Sequence, residues 1–146
     1  MYQTEIYLGN QVGNMIVDRA EGWYMSADNY VRVAVENVEK NLAKYSQCFP
    51  TCCNTPIMSG YWPEISILTK IKSEGVTQYQ EMVRTIRWSV DLGRVDILLE
   101  TALMSTYLGL PCRGYLKHIF HIFGYLKVNP KRKLCFEPQH RIINDL

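Results

Sequence analysis

Three of the five cysteines and two of the three histidines of this 146-residue chain raise the question of metal chemistry: Cys48, Cys52, Cys53, His118 and His121. Zinc sites pair closely spaced ligands in a set order. A Cys-x3-Cys step followed far downstream by His-x2-His matches no such order. The cysteines therefore read as ordinary reduced thiols. The two histidines, beside Phe120 on a helix, read as packing and a polar edge rather than as ligands or a general base. No serine, histidine and acid can be grouped by spacing, which leaves a hydrolase without support. We assign no catalytic residue and no metal ligand from the sequence.

Phosphate contact is the chemistry that the charges suggest. Residues 1–75 hold 6 Lys/Arg against 8 Asp/Glu, whereas residues 76–146 hold 10 against 6. The basic half carries Arg84 and Arg87 one turn apart, and Lys127, Lys131, Arg132 and Lys133 in a cluster. Such cations give sequence-independent affinity for nucleic acid by releasing counterions. The plainer alternatives are a solvated face, an Arg87–Asp91 pair at i,i+4, and Lys127 easing the negative end of its helix. Trp23, Trp62 and Trp88 could stack on bases, but burial is the expected fate of each.

These residues need elements to position them. Glu5–Leu8, Met15–Val17 and Trp23–Met25 read as short strands, with Gly9, Asn10, Gly13, Asn14 and Gly22 as turn residues. Ser26 is placed as the N-cap of a helix of about 18 residues, with Asp28 in its first turn and Val31, Val35, Val38, Leu42 and Tyr45 as its apolar stripe. Residues 46–76, broken by Pro50, Pro56, Gly60, Pro63 and Gly75, read as a connector wrapping the surface, tacked down by Tyr61, Trp62, Ile65 and Ile67. Thr77 and Gln80 match a capping box that opens a second helix. That helix buries Tyr79, Met82, Val83, Ile86 and Val90 and stops at Gly93. Asp96 caps a third, with Leu99, Ala102, Leu103 and Thr106 inward. A fourth runs from Gly114 to Lys127, burying Leu116, Ile119, Phe120 and Phe123. Lys133–Glu137 is a strand and 138–146 a tail. The expected fold is α+β, mainly helical with four helices, a small N-terminal antiparallel meander and one late strand.

Five words stand in order along the chain: Tyr7-Leu8-Gly9, Trp23-Tyr24-Met25-Ser26 followed by Tyr30, Cys53-Asn54-Thr55-Pro56, Gly93-Arg94-Val95-Asp96-Ile97, and Phe123-Gly124-Tyr125-Leu126-Lys127. Together they resemble the copia-type retrotransposon polyprotein where its reverse transcriptase runs on toward ribonuclease H. The run from Tyr79 to Trp88 belongs to the same likeness. Val95 replaces the family's commoner proline, and Cys53 stands where the family often has cysteine. On this likeness residues 1–25 are a palm-edge β remnant and 26–76 a thumb-like helix plus extended connector. Residues 77–137 are a connection-like helical region with a late strand, and 138–146 a tail.

The resemblance implies an RNA-directed DNA polymerase as parent, using magnesium held by a Tyr-x-Asp-Asp turn. This sequence has no Asp-Asp pair, and beyond the Lys133–Glu137 strand it offers only Asp145 where the ribonuclease H carboxylates would lie. The isolated chain is therefore expected to be no enzyme and to need no cofactor. Its expected partners are RNA–DNA or DNA duplex, gripped by Arg84, Arg87, Lys127, Lys131, Arg132 and Lys133, and polymerase or ribonuclease H segments supplied elsewhere. The other reading is a domesticated helical interaction protein derived from a retrotransposon. No secretory pattern and no apolar run of about 18 residues is found, so an intracellular place, cytoplasmic or nuclear, is expected, with no membrane partner. The meander should leave an unpaired edge and make the isolated chain poorly soluble; a monodisperse monomer with a cooperative melt would count against that.

Overall fold

The structure is a computed structural model that describes residues 5–7, 9–17, 20–61 and 70–136. Leu8, Trp62, Ile65, Ile67, Glu137, and the tail with Asp145 lie outside the described residues. The fold is α+β and mainly helical. Strands β1 (Glu5–Tyr7), β2 (Asn10–Val17) and β3 (Ala20–Ser26) form an antiparallel meander. Helices α1 (Asp28–Ala43), α2 (Ser73–Asp91), α3 (Leu98–Ser105) and α4 (Arg113–Val128) follow. Strand β4 (Lys133–Phe136) returns to pair with β3, giving the sheet order β1-β2-β3-β4. No helix among the described residues is long and apolar enough to cross a membrane.

The meander corrects the expected turns. Gly9 does turn the chain, with φ of +89°, but Asn10, Gly13 and Asn14 lie inside β2. Gly13 faces Tyr24 across the ladder, and a Cβ there would sit 2.9 Å from the tyrosine ring. It is glycine to admit the ring rather than to bend the backbone. Gly22 likewise sits within β3, opposite Met15.

The first helix buries Val31, Val35, Val38 and Leu42 together with Ala34. Arg32 Nη1 meets Glu36 Oε1 at 2.9 Å on its outer side. Ala27, not Ser26, holds the cap position, without a side-chain cap. The Ser26 hydroxyl instead donates to the Asp28 carboxylate. Tyr45 is exposed, because the helix ends at Ala43 and Ser46 turns the chain at φ 54°. The connector is held by Tyr61, as expected, which stacks on His118, and by two residues the sequence had not marked for that role. Phe49 and Cys53 are buried, and the Phe49 ring lies parallel to Phe123 at 6.3 Å.

Helix α2 starts at Ser73, a turn earlier than expected, so no capping box forms. Thr77 Oγ1 donates back to Ser73 O, and Gln80 Nε2 donates to Leu108 O at 2.9 Å. Tyr79, Met82, Val83 and Ile86 are buried as expected, Val90 is half-buried, and Gly93 ends the run at φ +104°. A 3-10 turn over Val95–Ile97 then leads into α3. It advances each residue by a third of a turn, so α3 enters with its face rotated. Ile97, Glu100, Thr101 and Met104 go inward. Leu99, Ala102 and Thr106 are exposed and Leu103 is half-buried.

Helix α4 is the centre. From His118 to Leu126 every residue except Phe120 is buried, as a helix surrounded by others requires. Leu116 and Phe120, expected inside, are half-buried. Gly124 lies against the connector, where a Cβ would meet Cys53 Sγ at 2.6 Å and Pro50 O at 3.3 Å.

One buried ion pair fastens the α2–α3 corner to this helix. Arg94 is fully buried, and its fork grips Asp96 twice, Nε to Oδ1 at 2.9 Å and Nη2 to Oδ2 at 2.8 Å. The Tyr125 hydroxyl of α4 donates to Asp96 Oδ2 at 3.0 Å. Removing one partner of such a pair strands the other charge out of water. Asp96→Ala should cost about 3–5 kcal/mol in urea unfolding, and the double change Arg94→Met with Asp96→Ala clearly less.

Candidate nucleic-acid interface

Of the six cations singled out, Arg84 and Arg87 project from the exposed side of α2. Among the described residues neither makes an ion pair, so the Arg87–Asp91 pair is not formed. Lys127, in the last turn of α4, joins Glu39 of α1. That bond is exposed at both ends and contributes little to stability, but it engages the ammonium. Lys133 lies over the Tyr24 ring, 4.1 Å from its centroid, in a cation–π contact. Lys131 is exposed in the link between α4 and β4, and Arg132 beside it reaches Asn129 Oδ1 only at 3.5 Å.

The chain thus brings Lys127, Lys131, Arg132 and Lys133 to one corner, where α4 hands over to β4. No contact among the described residues joins that corner to Arg84 and Arg87. A cleft of about 260 Å³ between α1 and α2 is lined by none of the six. Its polar lining includes Asn37, Asn41, Gln78 and Glu81. The basic groups stand on open surface, an arrangement suited to a long polyanion rather than a small ligand. Trp23 and Trp88, expected inside, are both exposed, while Trp62 lies outside the described residues.

The cysteine and histidine group partly assembles, though not around a metal-ligand set. Cys53 Sγ comes to 3.5 Å from His121 Nδ1, and His121 Nε2 lies 2.8 Å from Thr55 O. A carbonyl only accepts, so Nε2 carries a proton, while the single S–H of Cys53 donates to Pro50 O at 3.3 Å and the sulfur sits beside Nδ1. Burial pushes the Cys53 thiol up, which keeps that proton in place. Cys48 and Cys52 are exposed. Among the described residues no three or more His, Cys, Asp or Glu gather as a possible metal site.

His118 has a different surrounding. It is fully buried, neither ring nitrogen has a hydrogen-bond partner, and Tyr61 stacks on it at 4.2 Å. Of the packing and polar edge expected of the two histidines, His118 supplies the packing and His121 the polar contacts. Periodicity gave the side of the helix that His118 occupies but could not show that a connector tyrosine closes over it. Arg94 and Tyr125 were read as words of a resemblance, and nothing in their spacing indicated that both hold Asp96. Burial alone would raise the Asp96 carboxyl, but the bonds and charge of Arg94, with the Tyr125 hydroxyl, hold it below the usual range. Glu100, buried with Oε2 unpartnered, is pushed up by burial and by the charge of Asp96.

Burial, with some help from His121, lowers His118 to about 4, against 6.5 for the ordinary group. A depressed histidine keeps its full contribution above the unfolded value and loses it as pH falls through the folded one. Relative to His118→Phe, the native chain should lose about 3 kcal/mol of stability between pH 7 and pH 4. Urea midpoints across that range check this, and parallel curves for the two proteins would disprove it. Compared with protein-family models, curated proteins and solved structures, the chain finds no match among any of the three.

Proposed function

We propose that this chain is the thumb-and-connection portion of a copia-type retrotransposon polyprotein, and that it grips template–primer duplex without performing chemistry. The observation that carries the reading is where the resembling words fall. Four of the five are separate in sequence yet make contacts that hold the fold together. Asp96 of one meets Tyr125 of another. Gly124 lies against Cys53. A Cβ on Gly93 would come within 3.8 Å of Met25 Cβ. Residues at such joints are constrained by their neighbours as a set, which is what a shared ancestral fold would preserve.

Duplex contact then falls to Arg84, Arg87, Lys131 and Arg132, which make no ion pair among the described residues. Lys127 and Lys133 flank the last two, each already in a weak contact that a phosphate could replace. The residues present do not fit the paired magnesium site of the parent polymerase. No Asp-Asp pair occurs in the sequence, Asp96 is committed to Arg94, and Asp28 is bonded to Ser26. The chain would hold nucleic acid for a catalytic segment supplied elsewhere.

Affinity for an RNA–DNA hybrid should fall steeply with salt. Lys131→Glu with Arg132→Glu should weaken binding and lower the log–log salt slope by about 2. A flat salt response would remove the grip. Primer extension with magnesium should give no product above a buffer control; incorporation would overturn the non-catalytic reading.

A further inference from the structure

Helix α3 is turned partly inside out. Its inward set, Ile97, Glu100, Thr101 and Met104, includes a carboxyl and a hydroxyl, while Val95, Leu98 and Leu99 stand 53%, 54% and 60% exposed. Ala102 and Thr106 are exposed as well. Positions 95, 98, 99, 102 and 106 recur at helical spacing, so these outward groups form one stripe along the 3-10 turn and α3. Single apolar residues on a surface need no explanation, but a continuous stripe on one helix marks a contact.

The charges around the stripe narrow what it meets. From Val95 to Cys112 the sequence has no Lys, Arg or His, and its two acids are Asp96, bonded to Arg94, and the buried Glu100. A nucleic acid or an anionic membrane surface finds no cation there to hold it. A second copy of the chain does match. A two-fold contact sets a patch against itself, so a charged patch repels its mate, whereas this stripe carries no charge. Run antiparallel about a point between Leu99 and Ala102, the stripe sets each Leu99 against the small Ala102 of the other copy, and each Val95 against Thr106. Large side chains then meet small ones, as close packing requires. Exposed charges of opposite sign bracket the stripe. Asp91 ends α2 just before it, and Arg113 opens α4 just after it. The stacked rings of Tyr107 and Tyr115, 3.9 Å apart, hold the start of α4 beside the end of α3. Neither Asp91 nor Arg113 makes an ion pair among the described residues. An antiparallel pairing brings the Asp91 end of one copy to the Arg113 end of the other, twice, and rim charges of that kind fix register.

We propose that the chain pairs with a second copy of itself through the outward stripe of α3, antiparallel, with Asp91 toward Arg113 at each rim. None of the six cations assigned to duplex contact lies in this stripe, so the proposal does not rest on that reading.

Sedimentation equilibrium of the full chain at micromolar concentration should give twice the monomer mass, falling toward the monomer on dilution. Leu98→Glu and Leu99→Glu replace side chains that already face water in the single copy. Each should weaken pairing about a hundredfold and keep the helical spectrum and a cooperative melt. Leu98→Ser with Leu99→Ser, gentler on the fold, should weaken it too. Asp91→Arg should weaken pairing about tenfold over its two symmetric contacts. Asp91→Arg with Arg113→Asp should recover most of that loss, which a damaged fold would not do. A native chain that stays monomeric would overturn the proposal. So would association that survives Leu98→Glu but is lost with Trp23→Ala, since the contact would then lie on the sheet. Failure of the charge exchange to recover pairing would overturn the antiparallel arrangement.

Discussion

Arg94 is a cation with no exposed surface, and a guanidinium withdrawn from water is tolerated only beside an anion its fork can grip. Asp96, two residues on, supplies that anion. Asp96 sits in the 3-10 turn that joins α2 to the short helix α3. Tyr125 then ties the carboxylate to α4. The corner between α2 and α3, the rotation of α3 and the seating of α4 thus share one cluster of three side chains. Gly93 stands at the edge of that cluster, and a Cβ there would lie 3.6 Å from Leu134 and 3.8 Å from Met25, so the corner lies close over β3 and β4.

Helix α4 converts this local bond into a global constraint. It is buried nearly all round, so it can occupy only the middle of the helical layer. Its two histidines show how completely surroundings decide a residue's role. His121 has both nitrogens in polar contact, Nε2 with Thr55 O and Nδ1 with the Cys53 sulfur. His118, one turn earlier, has neither engaged and lies under Tyr61. The same side chain is a linchpin for the connector in one place and a flat apolar surface in the other. Because α4 is fixed, the segment leaving it is aimed back at β3, and Lys131 and Arg132 are carried to the rim of the sheet.

The surface divides its charges into those already engaged and those left over. Lys127 reaches across to Glu39, and Lys133 covers Tyr24. Arg84, Arg87, Lys131 and Arg132 have at most a long contact to Asn129. Exposed pairs are weak enough to open for a stronger anion. Of the six cations singled out, these four make no ion pair among the described residues, and two of them, Lys131 and Arg132, stand just before β4.

Sequence by itself determined the stripes of α1 and α2, the stop at Gly93, the late strand, and the class of fold. Each of these follows from local rules, the helical period or the tolerance of glycine for positive φ. It also gave the words Arg94-Val95-Asp96 and Phe123-Gly124-Tyr125, but not that they would meet. Only the tertiary structure decided that meeting, together with the inward face of α3, the loss of the Thr77–Gln80 box, the outward Trp23 and Trp88, and the stacking of Tyr61 on His118. The physical reason is common to all of them. A periodic pattern states which side of an element is apolar, whereas the partner on that side comes from residues distant along the chain. Gly13 has the sequence appearance of a turn and the structural role of a notch for Tyr24, because the ring that needs the space belongs to another strand.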